Sequence, residues 1–296
     1  MKNKIYIVLA SLLVLLNACE DVVDINLDEQ DVNMIAVEAK ITTKENPRVF
    51  LYKTQRVSFA EPFPGISDAV VTISDNSVPA KTIQLVESDD KPGLYFPAEN
   101  EEYLGEPGKE YTVTISTNGT IISATEALHE VVPVDSIQVH SSLRGEHRFL
   151  GVFTYGNETP GLGDYYKWDI YVNDSLINGA EYLVIASDEL VDGNYIRGFE
   201  IFTDFHDTNK PSERLLKLGD KVQVKQTSIS EFVYYYYYQM FNQSQSGGMF
   251  SVPPANIKSN FTASDGSTVV GLFTTHDVST SNVVIIDDAI ENQLKK

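Results

Sequence analysis

The stretch SDAVVTISDN, residues 67–76, states the rule that governs most of the chain. Val71 and Ile73 alternate with Val70, Thr72 and Ser74, and Asp75-Asn76 follows. Successive side chains on a strand point to opposite faces, so this alternation puts one apolar row against a core. Asp and Asn end the run because their side chains hydrogen-bond nearby backbone and tolerate turn geometry. EPGKEYTVTIS, residues 106–116, repeats the unit, with Pro107-Gly108 as turn and Tyr111, Val113 and Ile115 on one face. A chain built from such units is bound to sheets.

The pattern predicts a first set of strands at Met34–Thr42, Arg48–Lys53, Ala69–Ser74, Lys81–Val86, Leu94–Pro97, Tyr111–Ser116 and Thr120–Ala127. Seven short strands with regular turn signals suit a β-sandwich of about 100 residues. Val131-Val132-Pro133-Val134 reads as a boundary, because the residue before a proline is held extended and proline favours a strand start. A second set follows at Asp135–Ser141, Phe149–Tyr155, Tyr165–Val172, Glu181–Ala186, Ile196–Phe205, Lys221–Thr227, Val269–Thr275 and Asn282–Ile286. The expectation is a mostly β protein: a sandwich domain over residues 32–131, then a β-rich domain over 132–296.

One segment breaks the alternation. SISEFVYYYYYQMFNQSQSGG, residues 228–248, is too long for an ordinary strand and predicts a helix over about 229–246. Ser228 and Glu231 have capping-box spacing, and Gly247-Gly248 is a stop signal. Consecutive helical residues step about 100° around the axis, so the five tyrosines Tyr234 to Tyr238 cannot share a face. Phe232, Tyr236 and Met240 fall on one stripe. Tyr234 and Tyr238 point elsewhere and are expected to be the more exposed rings, a candidate partner-docking surface because tyrosine is enriched at interfaces. The alternative is a ring that covers the sheet with its hydroxyl wet.

The N-terminus carries an address. Lys2 and Lys4 precede an apolar run from Ile5 to Leu16, too short for a comfortable membrane span and the right length for a signal peptide over residues 1–18. Leu16-Asn17-Ala18-Cys19 has the form of a bacterial lipobox. Cys19 is the sole cysteine, cannot pair within the chain, and is expected to be lipidated. Residues 19–31 then form an acidic tether whose Glu20-Asp21 resembles a surface-export signal. With a formal charge of −20 the chain is a poor partner for nucleic acid, since phosphate is repelled.

Catalytic motifs are sparse. His129, His140, His147, His206 and His276 form no short metal-ligand pair, and no cysteine is available to complete one. There is no G-x-S-x-G, P-loop or H-E-x-x-H. TDFHD brings Asp204, His206 and Asp207 together, which suits a polar strand end more than a metal site. SDELVDGNY, residues 187–195, lacks EF-hand spacing. The expectation is therefore no catalytic residue, no metal and no cofactor, and the chain is read as not an enzyme.

Across nearly its whole length the chain resembles a family of Bacteroidota outer-membrane lipoproteins known as domain of unknown function four-two-four-nine. The resemblance runs through NACEDVVDINL, MIAVEAKITTKENPRVFLYKTQ, GLYFPA, DYYKWDIYVND, FEIFTDF and LKLGDKVQVKQTSISEFVYYYYYQM, and closes with FSVPPANIKSNF and GLFTTHDV. The first half is also similar to immunoglobulin-like or transthyretin-like sandwiches. The resemblance implies a mostly β, surface-exposed lipoprotein, anchored in the outer membrane by acyl chains, that serves a TonB-dependent outer-membrane barrel as an accessory in nutrient capture. It assigns no catalytic residues. A structural or adhesive surface lipoprotein is the alternative. The nature of the ligand stays open among peptide, glycan and metal chelate.

Overall fold

The computed structural model describes residues 33–55, 62–206, 213–244 and 257–295. The expected signal peptide, Cys19 and the expected acidic tether lie outside them, as do Asp207 and Gly247-Gly248. From Asn33 onward the chain is one compact unit.

It is mostly β. In chain order the strands are β1 (Ile35–Thr42), β2 (Arg48–Lys53), β3 (Val70–Asp75), β4 (Thr82–Glu87), β5 (Leu94–Phe96), β6 (Glu110–Thr117), β7 (Thr120–Ala127), β8 (Ser136–Arg144) and β9 (His147–Asn157). There follow β10 (Tyr165–Val172), β11 (Ser175–Leu176), β12 (Val184–Ser187), β13 (Tyr195–Thr203), β14 (Lys221–Ile229), β15 (Thr262–Ala263), β16 (Val269–His276), β17 (Val278–Thr280) and β18 (Val284–Ile285).

The first seven strands join one nine-stranded path, β15-β7-β6-β3-β4-β5-β2-β1-β16. Val71 and Ile73 of β3 and Tyr111, Val113 and Ile115 of β6 are buried together, as their alternation requires. The two ends of the path approach each other. Thr275 of β16 donates from its hydroxyl to the Ala127 carbonyl of β7 at 2.7 Å. Asn260, just ahead of β15, donates to Glu126 at 2.8 Å and exchanges hydrogen bonds with the Phe273 backbone. The sheet thus curls almost closed around its apolar interior.

β16 is the last long strand in sequence, yet it runs parallel to β1, from Ile35↔Val269 to Thr42↔His276. Gly271 makes this approach possible. Its φ is +106°, and a Cβ there would sit 2.0 Å from the Val37 carbonyl oxygen.

β8 to β14 build a second core. The sheet β11-β10-β14-β17, with β12 and β18 beside it, and the sheet β13-β9-β8 both contribute to one apolar cluster. Val131 opens that cluster, so residue 131 marks where one core gives way to the next. The split into residues 32–131 and 132–296 does not follow the chain further, because β15 and β16 return to the first sheet. The crossing point is a single residue, Asp277, between β16 and β17. Its carboxylate accepts from the Thr43 hydroxyl at 2.8 Å and the Val131 amide at 3.0 Å, tying both cores to one side chain. His276 beside it is buried, with Nδ1 2.9 Å from the Ser228 carbonyl.

The helix is present over Glu231–Ser244. Its N-cap differs from the expected one. Ser228 is still in β14, paired with Tyr166, and its hydroxyl donates to the His129 carbonyl at 2.6 Å. Ser230 caps instead, its Oγ accepting from the Val233 amide at 3.2 Å. Strand pairing held Ser228, and the helix began two residues later.

Candidate functional site

Between the two sheets of the second core lies a cavity of about 370 Å³. Each wall has a local cause. Tyr166 and Trp168 occupy alternate positions on β10, so both face inward, and each is only 4% exposed. On β13 the register against β9 shifts between Arg197 and Phe199. Gly198 takes φ +89° at this bulge, and a Cβ there would lie 2.9 Å from the Tyr155 hydroxyl oxygen. A bulge re-aims the side chain that follows it, and Phe199 turns onto the cavity with its ring centroid 5.6 Å from that of Trp168. The helix adds Tyr234, whose ring packs 5.1 Å from Tyr165.

The polar side chains that line it are few. Trp168 Nε1 donates to Gln226 Oε1 at 2.8 Å. The Tyr166 hydroxyl donates to Glu158 Oε1 at 2.7 Å. Glu158 is 5% exposed, and it is one of three carboxylates, with Asp164 and Asp188, whose oxygens all lie within 4.8 Å of one another. Two loops bring them together: the Glu158 amide donates to the Asn194 carbonyl, and the Asp188 amide to that of Asp164. Asp188 in turn accepts from the Gly163 and Asp164 amides at 2.9 and 3.1 Å. Burial pushes the Glu158 carboxyl above its ordinary range, and Asp164 and Asp188 add to this against the Tyr166 hydrogen bond. Burial and the Asp188 charge push Asp164 up as well. Three oxygen ligands this close are a donor set that a hard cation accepts, although the two amides already engage Asp188.

The arrangement is a concave, mainly apolar wall with a few polar side chains, the general form of small-molecule sites. It is where the chain's sole tryptophan sits. A family profile described as domain of unknown function (DUF4249) matches residues 20–282. The chain belongs to that family. Among curated proteins no relative matches it. The DUF4249 match takes in every wall of the cavity, so the site is part of the family's own domain rather than an appendage.

The residues singled out by sequence are placed as follows. Tyr238 is exposed, at 50%, as the helix geometry predicts. Tyr234 is not: it is half-buried and lines the cavity, while Tyr235 takes the second exposed place at 47%. The packed side of the helix runs through Val233, Tyr234, Tyr236 and Tyr237 against Ile229 and Leu272, and Phe232 faces out. Packing against Ile229 of β14 and Leu272 of β16 sets which stripe is buried. Asp204 is fully buried, but its carboxylate accepts from the Leu215 and Leu216 amides at 3.1 and 2.9 Å, which makes it a loop organiser. His206 bonds the Asp204 carbonyl. SDELVDGNY contributes Asp188 to the carboxylate cluster, with partners 24 and 30 residues upstream by number.

Proposed function

We propose that this chain is a lipid-anchored, non-catalytic binding protein on the outer membrane of a Bacteroidota cell, surface-exposed and serving as accessory to a TonB-dependent nutrient transporter. The observation that carries the reading is the aromatic cavity around Trp168. Its rings and convergent side-chain acceptors are suited to holding a small molecule. The lipobox at Leu16–Cys19 supports the anchor, and multiple acyl chains would make it stable, since each buried CH₂ contributes about 0.8 kcal/mol. Tyr235 and Tyr238 offer exposed rings on the helix for a partner. In the same reading the curled sheet formed by the first seven strands is related to immunoglobulin-like or transthyretin-like sandwiches.

The test is affinity purification of a C-terminally tagged protein from detergent-solubilised outer membranes. A stoichiometric large barrel in the eluate is the expected result, with Cys19→Ala removing the protein from the membrane fraction. A free, monodisperse lipoprotein would contradict the accessory role.

A further inference from the structure

We propose that the cavity around Trp168 takes a small organic cation: an ammonium group held against Glu158, on an apolar or aromatic body laid over Trp168, Phe199 and Tyr234. The inference deepens the reading of the chain as a binding module and rests on it.

Charge complementarity is the first argument. The described lining contains Glu158 and Glu189 and no lysine, arginine or histidine. Behind Glu158 stand Asp164 and Asp188, and among the described residues none of the three has an ion-pair partner within 4 Å. His129 acts on Asp164 from outside the lining, but carboxylates without an ion-pair partner in a low-dielectric pocket still repel anions and favour a cation. Glu158 also has capacity to spare. A carboxylate offers about four lone-pair positions, and the Tyr166 hydroxyl and Thr159 amide take two.

Ring chemistry is the second argument. Aromatic faces carry negative potential, so a cation over Trp or Tyr is attracted to the ring. Here Trp168, Phe199, Tyr166 and Tyr234 line the same space as the carboxylate. A neutral sugar would stack on these rings but gain nothing from the charge. A phosphorylated or carboxylated ligand would be repelled. Size agrees as well, since a cavity of about 370 Å³ sits at the small end of ligand pockets, which span roughly 300–1,000 Å³.

Trp168 reports on its own site. Its fluorescence, excited selectively in the full chain purified in dodecyl maltoside, is titrated with phenethylammonium, the neutral 2-phenylethanol and the anionic phenylacetate. The expected result is a saturable change with phenethylammonium, about tenfold weaker binding of 2-phenylethanol and no saturation with phenylacetate. Glu158→Gln keeps an acceptor for the Tyr166 hydroxyl and removes the charge. It should abolish the preference for the cation and leave 2-phenylethanol unchanged. The proposal is overturned if the anion or the neutral probe binds as well as the cation, if Glu158→Gln leaves the preference intact, or if no probe moves Trp168. Should that variant fail to fold, the three probes on the unaltered chain still decide. A barrel that co-purifies with a chain indifferent to all three probes would leave the accessory role standing and remove only the cation.

Discussion

In the first core, Tyr95, Tyr103 and Tyr111 are at most 2% exposed, and each hydroxyl meets backbone. Tyr95 donates to the Ile66 carbonyl and accepts from the Ala69 amide, Tyr103 donates to the Lys81 carbonyl, and Tyr111 accepts from the Glu106 amide. In the second core, Tyr166 and Trp168 are nearly as buried, yet their polar atoms meet the side chains of Glu158 and Gln226. Those backbone partners lie in the segments that connect the strands, and a backbone group cannot turn away as a side chain can. Side-chain partners can rotate and share themselves with a ligand. Both cores thus satisfy their buried aromatic groups, but one uses them as struts between loops and strands, and the other leaves them facing a space. The difference teaches that burial of an aromatic residue says little about its purpose until the identity of its partner is known.

Two substitutions of the same kind separate the cores most strongly. Phe273→Ala removes a fully buried ring from β16 in the first core and should cost about 3–5 kcal/mol in chemical denaturation. Phe199→Ala removes a ring already 41% exposed on the cavity wall and should cost about 1 kcal/mol or less, while weakening ligand binding. Equal losses at the two sites would erase the distinction.

Acid tests the seam. Burial holds the His276 imidazole down to about 4, against 6.5 in a free chain, with Lys167 and Lys40 nearby acting in the same direction and the Ser228 carbonyl opposing. The unfolded chain therefore binds the proton first. Stability is fully present above pH 6.5 and falls as pH drops toward 4, by about 3 kcal/mol from this group. His276→Gln should flatten that part of the pH–stability curve relative to the unaltered chain. An unchanged slope would mean that the seam is not where acid acts.

A smaller effect sharpens the helix start. Ser228→Ala leaves the His129 carbonyl and Asp277 amide without their partner and should cost about 1–3 kcal/mol. Ser230→Ala removes the cap and a hydrogen bond to the Glu126 carboxylate and should cost about 1–2 kcal/mol. A larger loss at Ser230 would return the N-terminus of the helix to prominence over the seam.

The contrast between the cores also marks what could be read from residue order. All seven strands of the first set lie within a residue or two of where alternation puts them, because each buries one alternating row of side chains. β15 and β17 are two and three residues long and carry no period to detect. The return of β16 to β1 joins residues more than 200 positions apart, and no local pattern encodes such a pairing; Gly271 is its one visible trace. In the site, Tyr234 was legible as a special residue but assigned to the wrong side of the helix. Tyr166 and Trp168 are legible only as part of the strand expected at Tyr165–Val172. The carboxylate cluster was hidden because Glu158, Asp164 and Asp188 meet through two loops.

The most direct test of the cavity is diffraction from crystals of the protein grown with phenethylammonium. The account predicts density against Trp168 and Phe199, with the ammonium nitrogen within hydrogen-bond reach of Glu158. A cavity closed by inward movement of Phe199 and Tyr234, or a probe with its nitrogen turned away from Glu158, would contradict it.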